Sequence, residues 1–140
     1  MWYYNGEEFT SDMIGDYIGF VYCITDMSTS KKYIGKKNFK STRKLKPLKG
    51  KTRKRTVVKE SDWQDYFGSS DIVKALLEEH GKDNFHREIL HLCTFKGELS
   101  YMETYEILIR HAIIKDEYHN AFVGCKIHKN HVPKETIERF

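Results

Sequence analysis

Two acids sit in the middle of the most apolar stretch of this 140-residue chain, and the stretch itself supplies a partner for one of them. Leu99, Tyr101, Met102, Tyr105, Ile107, Leu108, Ile109, Ala112 and Ile113 recur so that a helix over about Glu98 to Ile114 is apolar on nearly every side, which predicts burial. Glu106 faces Arg110 one turn on, in the favoured orientation. Glu103 has Leu99, Ser100, Glu106 and Ile107 as its helical neighbours and no cation among them. A carboxylate left ionised beside a buried helix costs several kcal/mol unless something pairs with it. Either Glu103 faces water or meets a lysine from elsewhere, or it ligates a divalent cation that prefers hard oxygen, such as Mg²⁺.

The elements that would position such a site can be followed along the chain. Gly19 to Thr25 alternates β-branched and aromatic residues with period two and reads as a strand; Asp26 to Ser30 is a turn, and Lys32 to Gly35 returns. This hairpin carries Tyr22 and Tyr33, two phenols that either reach one pocket together or belong to the core. Pro47 and Gly50 break any helix in the segment that follows. Trp63 to Gly68 forms a short strand or turn, with Trp63 and Tyr66 either stacked on a base or sugar or, for at least one, buried. Ser69 or Ser70 caps a helix bearing Ile72, Val73, Leu76 and Leu77, which stops at His80 and Gly81. Free backbone N–H groups at such a helix start also suit an anion. Phe85 to Cys93 is a third strand, Tyr118-His119-Asn120 a short one, and the chain after Pro133 is helical or frayed. The order predicts an α+β fold: a small three-stranded, mainly antiparallel sheet flanked by helices, with a basic insertion after the second strand.

Charge is segregated. Residues 31 to 59 hold 14 of the 24 Lys and Arg and no acid, which leaves 10 basic against 20 acidic residues elsewhere. An acidic body repels a polyanion everywhere except at that segment, so the pattern predicts salt-dependent binding of nucleic acid; the alternative is a solvated basic loop without a partner. The length fits one domain over residues 1–140, with a core at about 17–125 and the insert at about 36–60. There is no apolar run long enough to span a membrane, and the start of the chain lacks a signal-peptide pattern. Cys23, Cys93 and Cys125, odd in number and scattered, read as reduced thiols of a cytoplasmic protein, two of them buried.

Gly19-Phe20-Val21-Tyr22, ten residues, then Tyr33-Ile34-Gly35 resembles the two-part signature of the GIY-YIG nucleases. The basic segment, the third strand, Glu103 and Tyr118-His119-Asn120 follow in that family's order over about residues 17 to 125. The insert and the Ser61-Asp62-Trp63 to Gly68-Ser69-Ser70 stretch resemble the Seg-type free-standing phage homing endonucleases. The resemblance implies a DNA endonuclease dependent on Mg²⁺ or Mn²⁺ and acting on double-stranded DNA, in the host cell cytoplasm if phage-encoded. It implies that Tyr22 is the general base preparing the attacking water, that Tyr33 orients water and phosphate, that Glu103 is the sole metal-binding carboxylate, and that Asn120 supports the site. A phenol titrating near pH 10 is a poor base at neutrality, so Tyr22 needs nearby positive charge.

Lys36 and Lys37 follow Gly35 and either touch phosphate or are solvated. The family's Arg lies eight residues after the second-strand Gly and its His twelve. From Gly35 eight residues reach Arg43, but twelve reach Pro47; from Gly68 twelve reach His80, but eight reach Leu76. With the insert placed between strand and helix, His80 takes the His position and the transition-state Arg comes from Arg43, Arg53 or Arg55; His80 read plainly is a helix C-terminal cation. Arg53, Arg55, Ser69 and Ser70 complete the expected nucleic-acid contacts. Sequence specificity rests on the domain, its insert or a homodimer on DNA. Other readings are a non-catalytic nucleic-acid-binding module, a repair or restriction nuclease of the same fold, and a zinc-stabilised domain using Cys125, His128, His131 and His119.

Overall fold

The computed structural model describes residues 1–121, 123–124, 130 and 133–139. Its strands are β1 (Trp2–Tyr4), β2 (Glu7–Phe9), β3 (Gly19–Asp26), β4 (Lys32–Asn38), β5 (Lys40–Leu45), β6 (Arg55–Glu60) and β7 (Phe85–Cys93). Its helices are α1 (Asp71–His80), α2 (Lys96–Ile109) and α3 (Lys134–Glu138). The fold is α+β, but the sheet has five strands rather than three, ordered β2-β1-β7-β3-β4. It is also mixed, because β1 runs parallel to β7 with Trp2 opposite Arg87. The extra strands come from the first nine residues, where Asn5 and Gly6 take positive φ in a tight turn and Trp2 and Phe9 enter the core. A three-residue strand is too short for period-two alternation to be read from sequence.

The β3–β4 hairpin pairs in register from Gly19 opposite Asn38 to Thr25 opposite Lys32. Its turn is held by Asp26, whose Oδ1 accepts from Ser28 N at 3.0 Å and Asn84 Nδ2 at 2.7 Å. Alternation along β3 divides the interior into two layers. Phe20, Tyr22 and Ile24 join Trp2, Phe9, Phe39, Trp63 and Ile89 on one face. Val21, Cys23 and Ile34 join Leu99, Met102, Ile107 and Ala112 on the other, under α2. Cys23 and Cys93 are buried free thiols in that second layer; Cys125, His128 and His131 lie outside the described residues.

Three further expectations are corrected, and the basic insertion takes a definite form. The basic segment is an ordered antiparallel ribbon, β5 against β6, separate from the main sheet. Tyr118 makes a single parallel bridge to Lys32 rather than starting a strand. Helix α2 ends at Ile109, after which His111 turns the chain with φ of 55°. That helix is also not buried all round: Leu108 and Ile109 are half exposed, because the sheet covers only the side bearing Leu99, Met102, Glu106 and Ile107. Glu106 is paired as expected with Arg110, at 2.7 Å, and additionally with His91 Nε2 at 2.7 Å. Ser70 caps α1 by accepting from Val73 N, and Gly81 ends it, as local sequence required. No described helix is long and apolar enough to cross a membrane.

Candidate active site

Strand β4 lies at the edge of the sheet, and the site is built around its rim. Because side chains alternate, Tyr33, Gly35 and Lys37 belong to the aromatic face and Ile34 and Lys36 to the α2 face. At an edge strand both faces meet solvent at the same line. Tyr33 arrives there from one face and Glu103 of α2 from the other, and together with Ser69, Ser70, His119 and Asn120 they line a cavity of about 490 Å³.

Tyr22 approaches this line from β3, one strand further in. It sits opposite Gly35 in the register, and its ring crosses over that glycine: a Cβ at position 35 would lie 2.5 Å from Tyr22 Cζ. A register shift between Val21 and Tyr22 in the pairing with β7 accompanies this placement, as bulges do where a side chain must be re-aimed. The other side of the phenol is closed by Gly68, which with φ of 95° leads into α1 and would bring a Cβ to 3.5 Å of the hydroxyl. Tyr22 is consequently 1% exposed and does not line the cavity. Burial, then the neighbouring Tyr66 phenol, to which it is hydrogen-bonded, hold its pKa well above the ordinary phenol value; Tyr33 and Glu103 add smaller contributions.

Tyr33 is half-buried, and its ring centroid lies 6.3 Å from that of Tyr22. Its hydroxyl meets Ser69 Oγ at 3.4 Å. Burial raises its pKa, the Ser69 contact works against this, and Tyr66 and Glu103 add to it. The Glu103 carboxyl is itself pushed above the usual carboxylate range by burial, with the Lys36 ammonium countering. Lys36 forms no ion pair there; its Nζ donates to Ser100 Oγ at 2.8 Å. Among the described residues Glu103 is therefore a desolvated acid with no ion pair, and the Lys36 ammonium that acts on it is hydrogen-bonded to Ser100. This agrees with the missing intrahelical partner and departs from a plain lysine pairing.

Asn120 has a definite task. Its Oδ1 accepts from Ile34 N at 2.9 Å and its Nδ2 donates to Ile34 O at 2.8 Å. The side-chain amide thus pairs with the outward-facing backbone of the edge strand as a sixth strand would. Lys32 N and O are likewise taken by Glu117 O and His119 N, each at 2.8 Å. The clamp pins Tyr33 and Gly35 on either side of Ile34 and covers an edge that would otherwise offer unpaired groups.

Other expected residues lie elsewhere. Lys37 pairs with Asp62 at 2.7 Å and sits over the Tyr66 ring at 4.2 Å. Arg43 is exposed on β5, Arg53 is in the ribbon's loop, and Arg55 donates to Lys46 O at its far end. His80 closes α1 beside Glu79, about 15 Å along the helix from the Ser70 cap at 1.5 Å per residue. No arginine is among the described residues lining the cavity. Sequence reading missed Ser100, Arg87 and the part Tyr66 plays. Arg87 donates to Gln64 O at 2.8 Å and Tyr66 O at 2.9 Å while lying over the Trp2 and Phe67 rings, and so holds the turn that delivers Tyr66. Flanked by His86 and Glu88 in β7, Arg87 carried no local signal that would have singled it out. Trp63 is core, 1% exposed.

The donor set suits a particular kind of cation. No three described His, Cys, Asp or Glu residues cluster, so a closed zinc-type cage has no ligands among them. A desolvated carboxylate, Glu103, and the exposed carboxylate of Asp71 line an open cavity with hydroxyls on its rim, a set that fits a hydrated Mg²⁺, which keeps several waters and takes one or two carboxylates plus substrate phosphate.

The family described as "Putative endonuclease segE, GIY-YIG domain" matches residues 2–127. Neither a curated protein nor a solved structure matches this chain.

Proposed function

Because the chain belongs to the GIY-YIG endonucleases of the Seg type, we propose that it is a Mg²⁺- or Mn²⁺-dependent enzyme that hydrolyses phosphodiester bonds in double-stranded DNA, in the role of a phage homing endonuclease. The observation that carries this reading is the meeting of Tyr33, Glu103 and the N-terminus of α1 on one open cavity at the rim of β4, with Tyr22 directly beneath.

Glu103 would hold the cation, which when bound would stabilise charge on the phosphate and the leaving oxygen. The N-terminal end of α1, with Ser69 and Ser70 on the cavity, would receive a phosphate oxygen, and Lys36 would supply positive charge beside it. Tyr33 offers its hydroxyl to the cavity and orients the attacking water. Because Tyr22 is enclosed and does not reach the cavity, whereas Tyr33 lines it, the base role implied for Tyr22 falls more readily to Tyr33, with Tyr22 and Tyr66 fixing that ring's surroundings. Water adds to phosphorus and its proton passes to the base, the bond to the 3′ oxygen breaks, and that oxygen takes a proton from solvent, leaving 3′-hydroxyl and 5′-phosphate ends.

One observation favours a second reading. The cavity has no arginine among its described lining residues to serve the transition state, as a DNA-binding module without activity would also show. Supercoiled plasmid incubated with Mg²⁺ separates the two: the enzyme nicks or linearises it, chelation stops the reaction, and Glu103→Ala binds without cutting. Undiminished cutting by that variant removes the metal assignment, and binding without cutting by the wild type leaves the module.

A further inference from the structure

The β5–β6 ribbon has no packing to explain it. Its strands pair in register from Lys40 opposite Glu60 to Leu45 opposite Arg55, and all of its strand residues except Leu45 are exposed. A two-stranded hairpin without an apolar face is marginal in water, so its order comes from its root. Phe39, the single residue between β4 and β5, is fully buried against Phe9, Phe20 and Trp63 at ring distances of 5.6, 4.8 and 5.2 Å. Ser61 ties the two feet together, N to Phe39 O at 2.8 Å and Oγ to Asn38 O at 2.6 Å. Trp63 Nε1 donates to Glu60 at 2.7 Å. The direction in which the ribbon leaves the body is therefore set at its root, by the same strand that carries Tyr33 and Gly35.

Its two faces differ. Lys40, Thr42 and Val58, with Ser41 at the ribbon's foot, border the body and, with Lys36, Lys37 and Lys96, line a groove of about 810 Å³. Arg43, Val57 and Arg55 share the alternate face and are absent from the lining of that groove. A surface meant only for phosphate would be uniformly basic, yet Val57 and Val58 are 40% and 57% exposed among the lysines and arginines. Arginine and an apolar side chain on one ribbon face match what base edges present in the major groove: paired acceptors on guanine and a methyl on thymine. That groove, about 12 Å wide, admits a two-stranded ribbon.

We propose that the β5–β6 ribbon is the sequence-reading element, lying in the major groove of duplex DNA with Arg43, Arg55 and Val57 toward the bases while one phosphate backbone runs through the lysine-lined groove beneath. The inference rests on the reading of the cavity as a DNA-cleaving site only for where the cut falls; the docking itself does not require cleavage. Ten residues separate Tyr33 from Arg43, at most about 33 Å of extended chain at about 3.3 Å per residue. The bases read therefore lie within about one helical turn, some ten base pairs, of the scissile bond.

The test selects bound 30-base-pair duplexes from a random-sequence library in the absence of divalent metal, then maps guanine N7 protection from methylation on the winners. Wild-type protein enriches a guanine-containing motif and protects it in the major groove. Arg43→Lys with Arg55→Lys keeps the charge, the salt dependence and the melting temperature but loses the motif by tenfold or more in enrichment, because lysine cannot present the two-pronged contact. An unchanged motif and protection pattern in that variant overturns the proposal, as does protection confined to the minor groove or a ribbon substitution that alters only the protein's oligomeric mass. If the wild type selects and protects a motif but never cuts with Mg²⁺, the nuclease reading fails and the ribbon assignment stands. If it cuts but shows no ribbon-dependent motif, the nuclease reading stands and the ribbon assignment fails.

Discussion

The Tyr22 phenol occupies the space into which any side chain at position 35 would project, with Tyr22 Cζ 2.5 Å from the place of a Cβ on Gly35. The glycine on the second strand and the tyrosine on the first are one structural unit: the absent side chain lets the ring cross the sheet toward its edge. Gly35→Ala forces the ring aside, and overpacking of this kind costs about 1–3 kcal/mol. The variant should remain folded, melt several degrees lower, and cleave DNA at least 100-fold more slowly. Near-normal cleavage would show that the ring's position is immaterial to the chemistry.

Removing single hydroxyls distinguishes the two phenols. Tyr33→Phe takes away the hydroxyl that meets Ser69 at the cavity rim, whereas Tyr22→Phe takes one enclosed beneath Gly35 and Gly68. The expected loss in single-turnover cleavage is the larger for Tyr33→Phe, about 100-fold or more on the scale typical of positioned proton transfer. Equal losses, or the reverse order, return the base role to Tyr22.

Glu103 makes a prediction about pH as well as activity. Its folded pKa is raised, so the stability it contributes is present in full below the unfolded carboxyl value and is lost as pH rises through the folded one. Glu103→Gln should therefore be at least as stable as wild type at neutral pH and lose that advantage in acid, by urea titration at both. Proton and cation compete for the same carboxylate, so the Mg²⁺ concentration needed for half-maximal cleavage should increase as pH falls toward the ordinary carboxylate range. A midpoint that does not move with pH would place the cation elsewhere.

Asn120→Ala leaves Ile34 N–H and C=O without partners at a buried edge. Each lost partner costs about 1–3 kcal/mol, so a destabilisation of about 2–4 kcal/mol is expected in chemical denaturation. Cleavage should fall even at temperatures where the variant is folded, because Tyr33 and Gly35 flank the freed residue. Asn120→Asp should be worse, since it sets a carboxylate oxygen against Ile34 O. A variant folded as firmly as wild type would mean that the clamp is replaceable by water.

The hairpin, the first long helix with its Ser70 cap and Gly81 stop, β7, and the partnerless Glu103 were all legible from residue order. Each depends on neighbours within a turn or a strand length, and periodicity and capping report those directly. Tertiary structure decided the rest. The first nine residues became strands because β7, some eighty residues away, gave Trp2–Tyr4 a parallel partner. One side of α2 was left open because only one sheet face reaches it. The basic segment became a ribbon because Phe39 and Ser61 anchor its feet in contacts that no local pattern encodes. Tyr22's enclosure and Asn120's hold on Ile34 depend on which backbone lies opposite, and that is fixed by register between distant strands rather than by the residues that follow one another in the chain.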